Sequence, residues 1–358
     1  MAHPAPKPGI MDITPYIGGE GRVPETQRLA RLASNENPLG PSPLAMKAYI
    51  DAAKNLHRYP DGMAADLRAA LGQKYGMDPA RIVCGAGSDE LIALLTRAYA
   101  GAGDEIVYSA HGFLRYKLAA MEMGATPKAV PEQNLTADMD ALLEAVTERT
   151  KILFLANPNN PTGSWLDRNA LQKLASRLPS SVLFVIDAAY SEFMTDPAYE
   201  SGQALVDAHK NVVMLRTFSK IYGLSALRLG WGYFPEEIAS VLNRIRGPFN
   251  VSAPAQAAGI AALDDDDFLQ RTIALTEEQK QTMTTGLKQL GFQVYPSAGN
   301  FLLAQFGAEA EKIRLALKER GVFVRQMGAY GLPETLRISI GMAEDTDQLL
   351  TALKEIKG

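Results

Sequence analysis

The sequence contains a single cysteine, Cys84, no cluster of basic residues and no long hydrophobic run. One cysteine cannot form an internal disulfide, so we interpret it as a small buried side chain in a protein of the reducing cytoplasm. The net charge of -4, without a Lys/Arg block, does not indicate a nucleic-acid partner. No apolar run approaches the roughly 18 residues of a membrane span, and the first ten residues carry three prolines and no apolar segment typical of a secretory signal. We therefore expect a cytoplasmic protein without a membrane or nucleic-acid partner.

The length of 358 residues exceeds that of a typical single domain, and 47% hydrophobic with 21% charged residues is ordinary for a globular protein. Residues 1–35 are expected to form an irregular N-terminal arm that contributes to the small domain and the active site. A large α/β domain is predicted over residues 36–245. A smaller C-terminal α+β domain is predicted over residues 246–358.

Short apolar runs alternate with amphipathic stretches up to about residue 245. Nearly continuous hydrophobic runs are typical of strands that are buried on both faces, so they predict a mainly parallel sheet flanked by helices. The predicted strands of this sheet are 81–84, 105–108, 151–156, 182–186 and 212–215. In the smaller domain we predict helices over 268–291 and 308–320 and strands over 301–304, 321–325 and 336–340. The acidic run 264–267 is interpreted as a helix start rather than a metal site, and no metal is expected.

Three polar segments directly follow predicted strands, where ligands bind in open α/β sheets. Lys220 ends the segment Thr217-Phe218-Ser219-Lys220, and its amine can form a Schiff base with pyridoxal 5′-phosphate. Asp187 can pair with the ring nitrogen and make the ring an electron sink. Asn160 and Tyr190 can reach the ring oxygen. Alone, these residues would be better interpreted as a surface lysine, a helix cap, an Asn-Pro turn and a buried tyrosine; together and in this order they indicate a cofactor site.

A second group of residues suits the phosphate of the same cofactor. The loop 85–90 precedes a predicted helix, whose first N–H groups bind anions well. Glu90 occupies the position where a dinucleotide-binding loop needs glycine, which argues against a nicotinamide oxidoreductase. The candidate phosphate ligands are Gly87, Ser88, Asp89, Ser219 and Arg228.

Two further expectations concern the surroundings of the ring. Lys220 lies between Phe218 and Leu224, so partial burial should lower its pKa and free the amine for imine chemistry. Phe113 is the candidate for stacking on the ring face, and His111 competes with it for this role.

Over nearly the whole chain, from residues 13–16 to residues 336–341, the sequence resembles the fold-type I pyridoxal-phosphate aminotransferases, and most closely the histidinol-phosphate aminotransferase family. The ring and phosphate motifs are specific to the superfamily, and the flanking segments point to the family. The segments that carry the resemblance include Ser34-Asn35-Glu36-Asn37-Pro38-Leu39-Gly40-Pro41, Arg58-Tyr59-Pro60-Asp61, Gly87-Ser88-Asp89-Glu90, Ser219-Lys220-Ile221-Tyr222-Gly223 and Arg228-Leu229-Gly230.

The resemblance implies a fold, an assembly and a set of roles. Lys220 would be the Schiff-base lysine, with Asp187, Asn160 and Tyr190 around the ring, and such enzymes are homodimers with shared active sites. The remaining implied contacts are Ser219 and Arg228 to the phosphate, Tyr59 to the phosphate of the neighbouring subunit, Arg337 to the acidic end of the substrate, and Arg325 and Tyr16 to a phosphorylated substrate.

The resemblance also implies transfer of an amino group from histidinol phosphate to 2-oxoglutarate by ping-pong kinetics, in histidine biosynthesis. An aromatic amino-acid aminotransferase and a decarboxylase of a phosphorylated amino acid stay open as alternatives on the same scaffold. A ligand-sensing transcription regulator is disfavoured, because such proteins usually carry a DNA-binding extension and the arm is expected to be too short for one.

Overall fold

The computed structural model describes residues 6, 9–14 and 28–358. Within these residues the α-helices are α1 Pro43–Ala53, α2 Ala65–Tyr75, α3 Ser88–Tyr99, α4 Leu114–Met123, α5 Met139–Glu144, α6 Arg168–Arg177, α7 Gln203–Ala208, α8 Glu236–Ile245, α9 Ala253–Leu263, α10 Asp266–Gln289, α11 Ala310–Glu319 and α12 Ala343–Lys357. The strands are β1 Ala30–Leu32, β2 Ile82–Gly85, β3 Glu105–Ser109, β4 Thr126–Val130, β5 Glu132–Gln133, β6 Thr136–Ala137, β7 Thr150–Ala156, β8 Leu183–Asp187, β9 Val212–Thr217, β10 Gly230–Tyr233, β11 Gln293–Tyr295, β12 Phe301–Gln305, β13 Val322–Gln326 and β14 Thr335–Ser339.

The larger sheet of the described chain has seven strands in the order β2-β10-β9-β8-β7-β3-β4. All neighbouring pairs are parallel except those that involve β10, which is antiparallel to both β2 and β9. A parallel neighbour of β9 would need a crossover connection. The chain instead turns back after β9 through the loop that contains Lys220, and β10 therefore runs antiparallel to β9. The predicted mainly parallel sheet is confirmed, whereas the short antiparallel strand β10 was not predicted.

Both faces of this sheet are buried, which explains the continuous apolar runs. In β7, Leu153 and Leu155 pack into one hydrophobic cluster, while Ile152 and Phe154 pack into a second cluster on the opposite face. Successive strand residues point to opposite faces, so each run must be apolar at every position. The carboxyl ends of β7, β8 and β9 meet at one edge of the sheet, and the three candidate segments begin there.

A smaller sheet has the order β1-β13-β14-β12-β11 among the described residues. Strand β1 pairs with β13 in parallel, and the other neighbours are antiparallel. The predicted strands at 301–304, 321–325 and 336–340 are present within about one residue at each end, and β11 was missed. The arm therefore supplies one strand to the smaller sheet.

The long helix α10 begins two residues earlier than the sequence predicted. The side chain of Asp265 accepts a hydrogen bond from the backbone N–H of Phe268 at 3.1 Å, which caps the helix, and Asp266 and Asp267 lie in its first turn. The acidic run is thus a helix start that the helix dipole favours.

The boundaries at residues 35 and 245 stay a prediction. Helix α9 lies beyond residue 245, yet Ala255, Ala258 and Ala262 belong to the hydrophobic cluster of the larger sheet. No helix of the described residues has the length and hydropathy required to cross a membrane.

Candidate active site

A cavity opens at the carboxyl ends of β7, β8 and β9. Nine of the residues that the sequence singled out line it, and they come from six separate parts of the chain. These residues are Ser88, Asp89, Phe113, Asn160, Asp187, Tyr190, Ser219, Lys220 and Arg228, and the remaining lining residues are Ala156, Pro158, Ala189 and Thr217.

Lys220 lies three residues beyond the end of β9 and reaches into this cavity. Its Nζ atom donates to the backbone oxygen of Ser34 at 3.3 Å and lies 5.8 Å from the ring centre of Tyr190. Burial, followed by the positive charge of Arg337, lowers the pKa of Lys220 to about 8. A sizeable fraction of the amine is therefore neutral near neutral pH, which both nucleophilic attack and proton abstraction require.

Asp187 is the last residue of β8, and it is only 5% exposed. Its Oδ2 atom accepts a hydrogen bond from the Tyr116 hydroxyl at 2.8 Å. Burial raises the pKa of Asp187 to about 6, against the opposing effect of the Tyr116 hydrogen bond. A buried carboxylate of this kind is stabilised by a cationic partner, such as a protonated ring nitrogen.

Tyr190 lies three residues after Asp187, at the start of a short 3₁₀ turn, and its hydroxyl accepts a hydrogen bond from Asn35 Nδ2 at 2.9 Å. Burial raises the pKa of Tyr190 to about 12, so the phenol is neutral and keeps a proton to donate.

Asn160 and Arg337 lie in contact, although 177 positions separate them in the sequence. The Nη1 atom of Arg337 donates to Asn160 Oδ1 at 2.5 Å, and its Nη2 atom donates to the backbone oxygen of Ala33 at 2.7 Å. The contact turns the Asn160 oxygen toward Arg337 and so leaves Nδ2, the donor of the amide, on the side away from Arg337. The predicted ring-oxygen donor and the predicted substrate arginine are thus mutually oriented.

The residues predicted for phosphate binding surround the N-terminus of α3. Arg228 Nη1 donates to Ser219 Oγ at 3.3 Å, and Ser88 is the first residue of the helix. A Cβ atom on Gly87 would lie 2.4 Å from Arg228 Nη2, so only glycine allows the guanidinium to come this close. The N–H groups at the start of α3, the Ser219 hydroxyl and the Arg228 guanidinium together form an anion-binding site, which we call the anion cup.

Glu90 has a structural role in this cup. Its Oε2 atom accepts hydrogen bonds from the backbone N–H of Ala86 at 2.6 Å and from Asn250 Nδ2 at 2.7 Å. The carboxylate holds the loop 85–87 from within, at the place where a dinucleotide loop has glycine.

Phe113 and His111, the two candidates for stacking, differ in position. Phe113 lines the cavity and contacts Tyr116 edge to face at 5.9 Å between ring centres. His111 instead places Nδ1 2.8 Å from Oε2 of Glu132, a buried carboxylate. The geometry favours Phe113.

Of the predicted residues that the structure describes, five do not line the cavity: Gly87, Tyr59, His111, Arg325 and Arg337. Arg325 lies directly opposite Arg337 in the β13–β14 register. Tyr59 is 82% exposed and stacks on Phe249 at 4.7 Å. Tyr16 lies outside the described residues.

Two residues with clear roles in the site were missed. Tyr116 lies within the segment that supplied Phe113, three positions further along α4, and on sequence alone it is a core aromatic. Asn35 belongs to the segment 34–41, which supported only the resemblance to the family. Neither has a local signal, because their contacts to Asp187 and Tyr190 are formed only by the fold.

The donor set matches pyridoxal 5′-phosphate group by group. The cavity has an amine for an aldehyde, a buried carboxylate for a ring nitrogen, an amide and a phenol for a ring oxygen, and the anion cup for a phosphate. Residues 28–353 match the family described as Aminotransferase class I and II.

Relatives and solved structures agree with this match. The chain is 53% identical to the histidinol-phosphate aminotransferase of Rhodospirillum centenum and 52% identical to that of Paramagnetospirillum magneticum, with 100% of both chains covered in each case. The crystal structure of histidinol-phosphate aminotransferase from Sinorhizobium meliloti in complex with pyridoxal 5′-phosphate superimposes with a TM-score of 0.91 at 31% identity, over 99% of this chain and 98% of that one. The predicted fold class and family are confirmed. The chain belongs to the class I and II aminotransferases and, within them, to the histidinol-phosphate aminotransferase family.

Proposed function

We propose that this protein is a pyridoxal 5′-phosphate-dependent aminotransferase that moves the amino group between histidinol phosphate and 2-oxoglutarate in histidine biosynthesis, in the cytoplasm. The observation that carries the proposal is the single cavity that joins Lys220, Asp187 and the anion cup at the carboxyl edge of the larger sheet. When bound, pyridoxal 5′-phosphate supplies an aldehyde for amines and a pyridinium ring that delocalises the electron pair left at a substrate α-carbon.

The residues around the ring divide the work. Ser88, Ser219 and Arg228 hold the phosphate. Asp187 holds a proton on the ring nitrogen, because its buried carboxylate gains most from a cationic partner. Asn160 and Tyr190 donate hydrogen bonds to the ring oxygen.

Lys220 binds the aldehyde and is the proton carrier of the reaction. Its pKa of about 8 leaves enough neutral amine to remove a proton from the substrate α-carbon, and the resulting ammonium can return the proton. Because the amino group is transferred in two half-reactions, the kinetics are ping-pong.

Arg337 and Arg325 are the proposed substrate cations. Arg337 is buried and oriented by Asn160 and Ala33, which suits the acidic end of a substrate. Arg325 lies next to it across the strand pair and would act on a substrate phosphate. Tyr16 is proposed as a further phosphate contact, as predicted.

The assembly is proposed to be a homodimer. Most of the exposed large apolar side chains in the described residues fall between positions 44 and 63, and Phe249 stacks on Tyr59. An exposed apolar patch of this kind marks an association surface. In such a dimer Tyr59 of the partner subunit would reach the phosphate.

The proposal is tested by titrating cofactor-free protein with pyridoxal 5′-phosphate, reducing with borohydride and locating the modified peptide. The expected attachment is at Lys220, and the Lys220→Ala variant should show none. Turnover of histidinol phosphate should then exceed that of phenylalanine by at least about 100-fold in kcat/KM with 2-oxoglutarate as acceptor.

Arg325→Gln separates the rival substrates. It should lower kcat/KM for histidinol phosphate and leave that for phenylalanine nearly unchanged, since only the former carries a phosphate. A preference for phenylalanine would establish the aromatic aminotransferase, and release of carbon dioxide would establish the decarboxylase.

A further inference from the structure

Asn35 joins the two sheets at the cavity. It is 1% exposed and has a left-handed backbone, with φ 53. Its N–H donates to Ser339 Oγ at 2.7 Å, and its carbonyl accepts from Asn300 Nδ2 at 3.1 Å. Ser339 ends β14, and Asn300 directly precedes β12, so the smaller sheet holds the backbone of Asn35. Its side chain reaches Tyr190, which follows a strand of the larger sheet.

The hydrogen bonds of Asn35 have a defined direction. Because Ser339 Oγ accepts from the backbone N–H of Asn35, its own proton is free to donate to Asn35 Oδ1, at 2.8 Å. This fixes the oxygen side of the amide toward Ser339 and the NH₂ side toward Tyr190. The Tyr190 hydroxyl accepts that N–H at 2.9 Å and makes no other hydrogen bond within the described part of the chain. Its own proton is left to point into the cavity that Tyr190 lines.

We propose that Asn35 is a positioning residue that holds the Tyr190 hydroxyl as a hydrogen-bond donor toward the cavity and couples this donor to β14, the strand that carries Arg337. Ser339 and Arg337 are two positions apart and therefore lie on the same face of β14. A shift of this strand when Arg337 binds a substrate anion would move the Ser339–Asn35–Tyr190 chain with it. The inference rests on the proposed function, in which the Tyr190 proton is donated to the ring oxygen of the cofactor.

Besides the neutral amide of Asn35, several charged or titratable groups act on Tyr190. Lys220 lies over its ring, and the charge of Arg337 lowers the pKa of the phenol. Asp187 and Tyr330 raise that pKa. These groups do not set the direction of the hydroxyl proton, since in the described residues only Asn35 is hydrogen-bonded to it.

Asn35→Asp is the decisive variant. The carboxylate has the shape of the amide and, like asparagine, tolerates the left-handed backbone, but it accepts where the amide donates. The Tyr190 proton should therefore turn toward residue 35. In holoenzyme, the pH midpoint of the cofactor absorbance change should rise by about one unit or more, because the ring oxygen loses a donor.

A second readout needs no cofactor. In cofactor-free protein carrying ¹³Cζ-labelled tyrosine, the NMR titration midpoint of Tyr190 should lie higher in Asn35→Asp than in wild type, because a donor to the phenolate is lost and a negative charge is added. Asn37→Asp is the matched control. Asn37 is a buried asparagine two positions away that donates to Ile221 O and Thr272 Oγ1 and not to Tyr190, so both midpoints should stay at their wild-type values.

A purely structural role is excluded by repeating Asn35→Asp in a Tyr190→Phe background, where the absorbance midpoint should no longer respond. Equal shifts in both backgrounds, or wild-type midpoints in folded Asn35→Asp, would overturn the proposal. Should Asn35→Asp not fold, Asn35→Gly keeps the backbone conformation and removes the amide, and Ser339→Ala removes the orienting donor. Both should move the midpoints in the same direction by less, and wild-type midpoints in both would equally overturn it. Absence of any cofactor band in wild type would refute the proposed function, and the tyrosine titration would still decide the role of Asn35.

Discussion

Tyr116 Oη donates a 2.8 Å hydrogen bond to Asp187 Oδ2, and the tyrosine ring stacks face to face on Phe154 at 4.6 Å. The carboxylate that would pair with the cofactor ring is therefore held by a side chain of α4, one turn beyond Phe113. Burial, followed by the negative charge of Asp187, raises the pKa of Tyr116 far above its usual range, so the hydroxyl always carries its proton. The arrangement keeps Asp187 in one orientation and favours its charged form.

Tyr116→Phe should retain the ring stacking and remove only this donor. We expect the pKa of Asp187 to rise further above about 6, and cofactor affinity at neutral pH to fall roughly 10-fold or more, since a hydrogen bond to a charged group contributes about 1.5–3 kcal/mol. Cofactor titration followed by absorbance measures the effect. The control is Tyr108→Phe, the same change on a buried tyrosine whose ring centre lies 6.4 Å from that of Tyr116. Equal losses in both variants would show that packing, not the hydrogen bond, is responsible.

The predicted residues that the structure brings to one cavity share one property. Asp187 ends a fully buried strand, and Lys220 and Asn160 lie three and four residues beyond strands that are largely buried, so an apolar run marks both the strand and its end. Contacts between distant segments leave no such signal. The Asn35–Tyr190 bond spans 155 positions, and the antiparallel direction of β10 depends on how the loop after β9 turns back. The cavity was predictable from local pattern, whereas the side chains that orient its members were not.

The pKa of Lys220 should depend on Arg337. Burial and the Arg337 charge hold this pKa near 8, so the neutral amine appears as pH rises through about 8 rather than through the ordinary lysine range near 10.4. Removing the charge in Arg337→Gln should raise the midpoint toward the ordinary value, because the ammonium then has one cation fewer beside it.

The pH dependence of cyanate modification of Lys220 in cofactor-free protein, followed by peptide mass spectrometry, measures the midpoint. Arg314→Gln is the control, because Arg314 pairs with Glu311 on α11. A midpoint unmoved in Arg337→Gln would mean that burial alone sets the pKa.

Gly230 should be irreplaceable at the anion cup. A Cβ atom at this position would lie 2.2 Å from the backbone nitrogen of Ser88 and 2.5 Å from the carbonyl carbon of Gly87, and neither backbone atom can yield without moving the helix start. Gly230→Ala should weaken cofactor binding at least about 10-fold and cost about 1–3 kcal/mol in the free energy of unfolding. In contrast, Gly101→Ala meets nothing within 4 Å and should alter neither quantity appreciably. Cofactor titration and chemical unfolding of both variants provide the comparison. If Gly230→Ala bound the cofactor with wild-type affinity, the phosphate would have to bind outside the anion cup.

The apolar patch on α1 should be the dimer surface. Ile50 is 57% exposed in the isolated chain, and a carboxylate buried there on association would lack a cationic partner. Ile50→Asp should therefore shift the protein from dimer to monomer in sedimentation equilibrium, while Leu315→Asp, on α11 at a side chain that is 45% exposed, should leave the dimer intact. If the proposed Tyr59 contact holds, the monomer should also bind the cofactor more weakly, because Tyr59 of the partner subunit would no longer reach its anion cup. This second effect links assembly to the active site. An Ile50→Asp monomer with wild-type cofactor affinity would show that each subunit completes its own site. A wild-type protein that is monomeric would contradict the proposed homodimer.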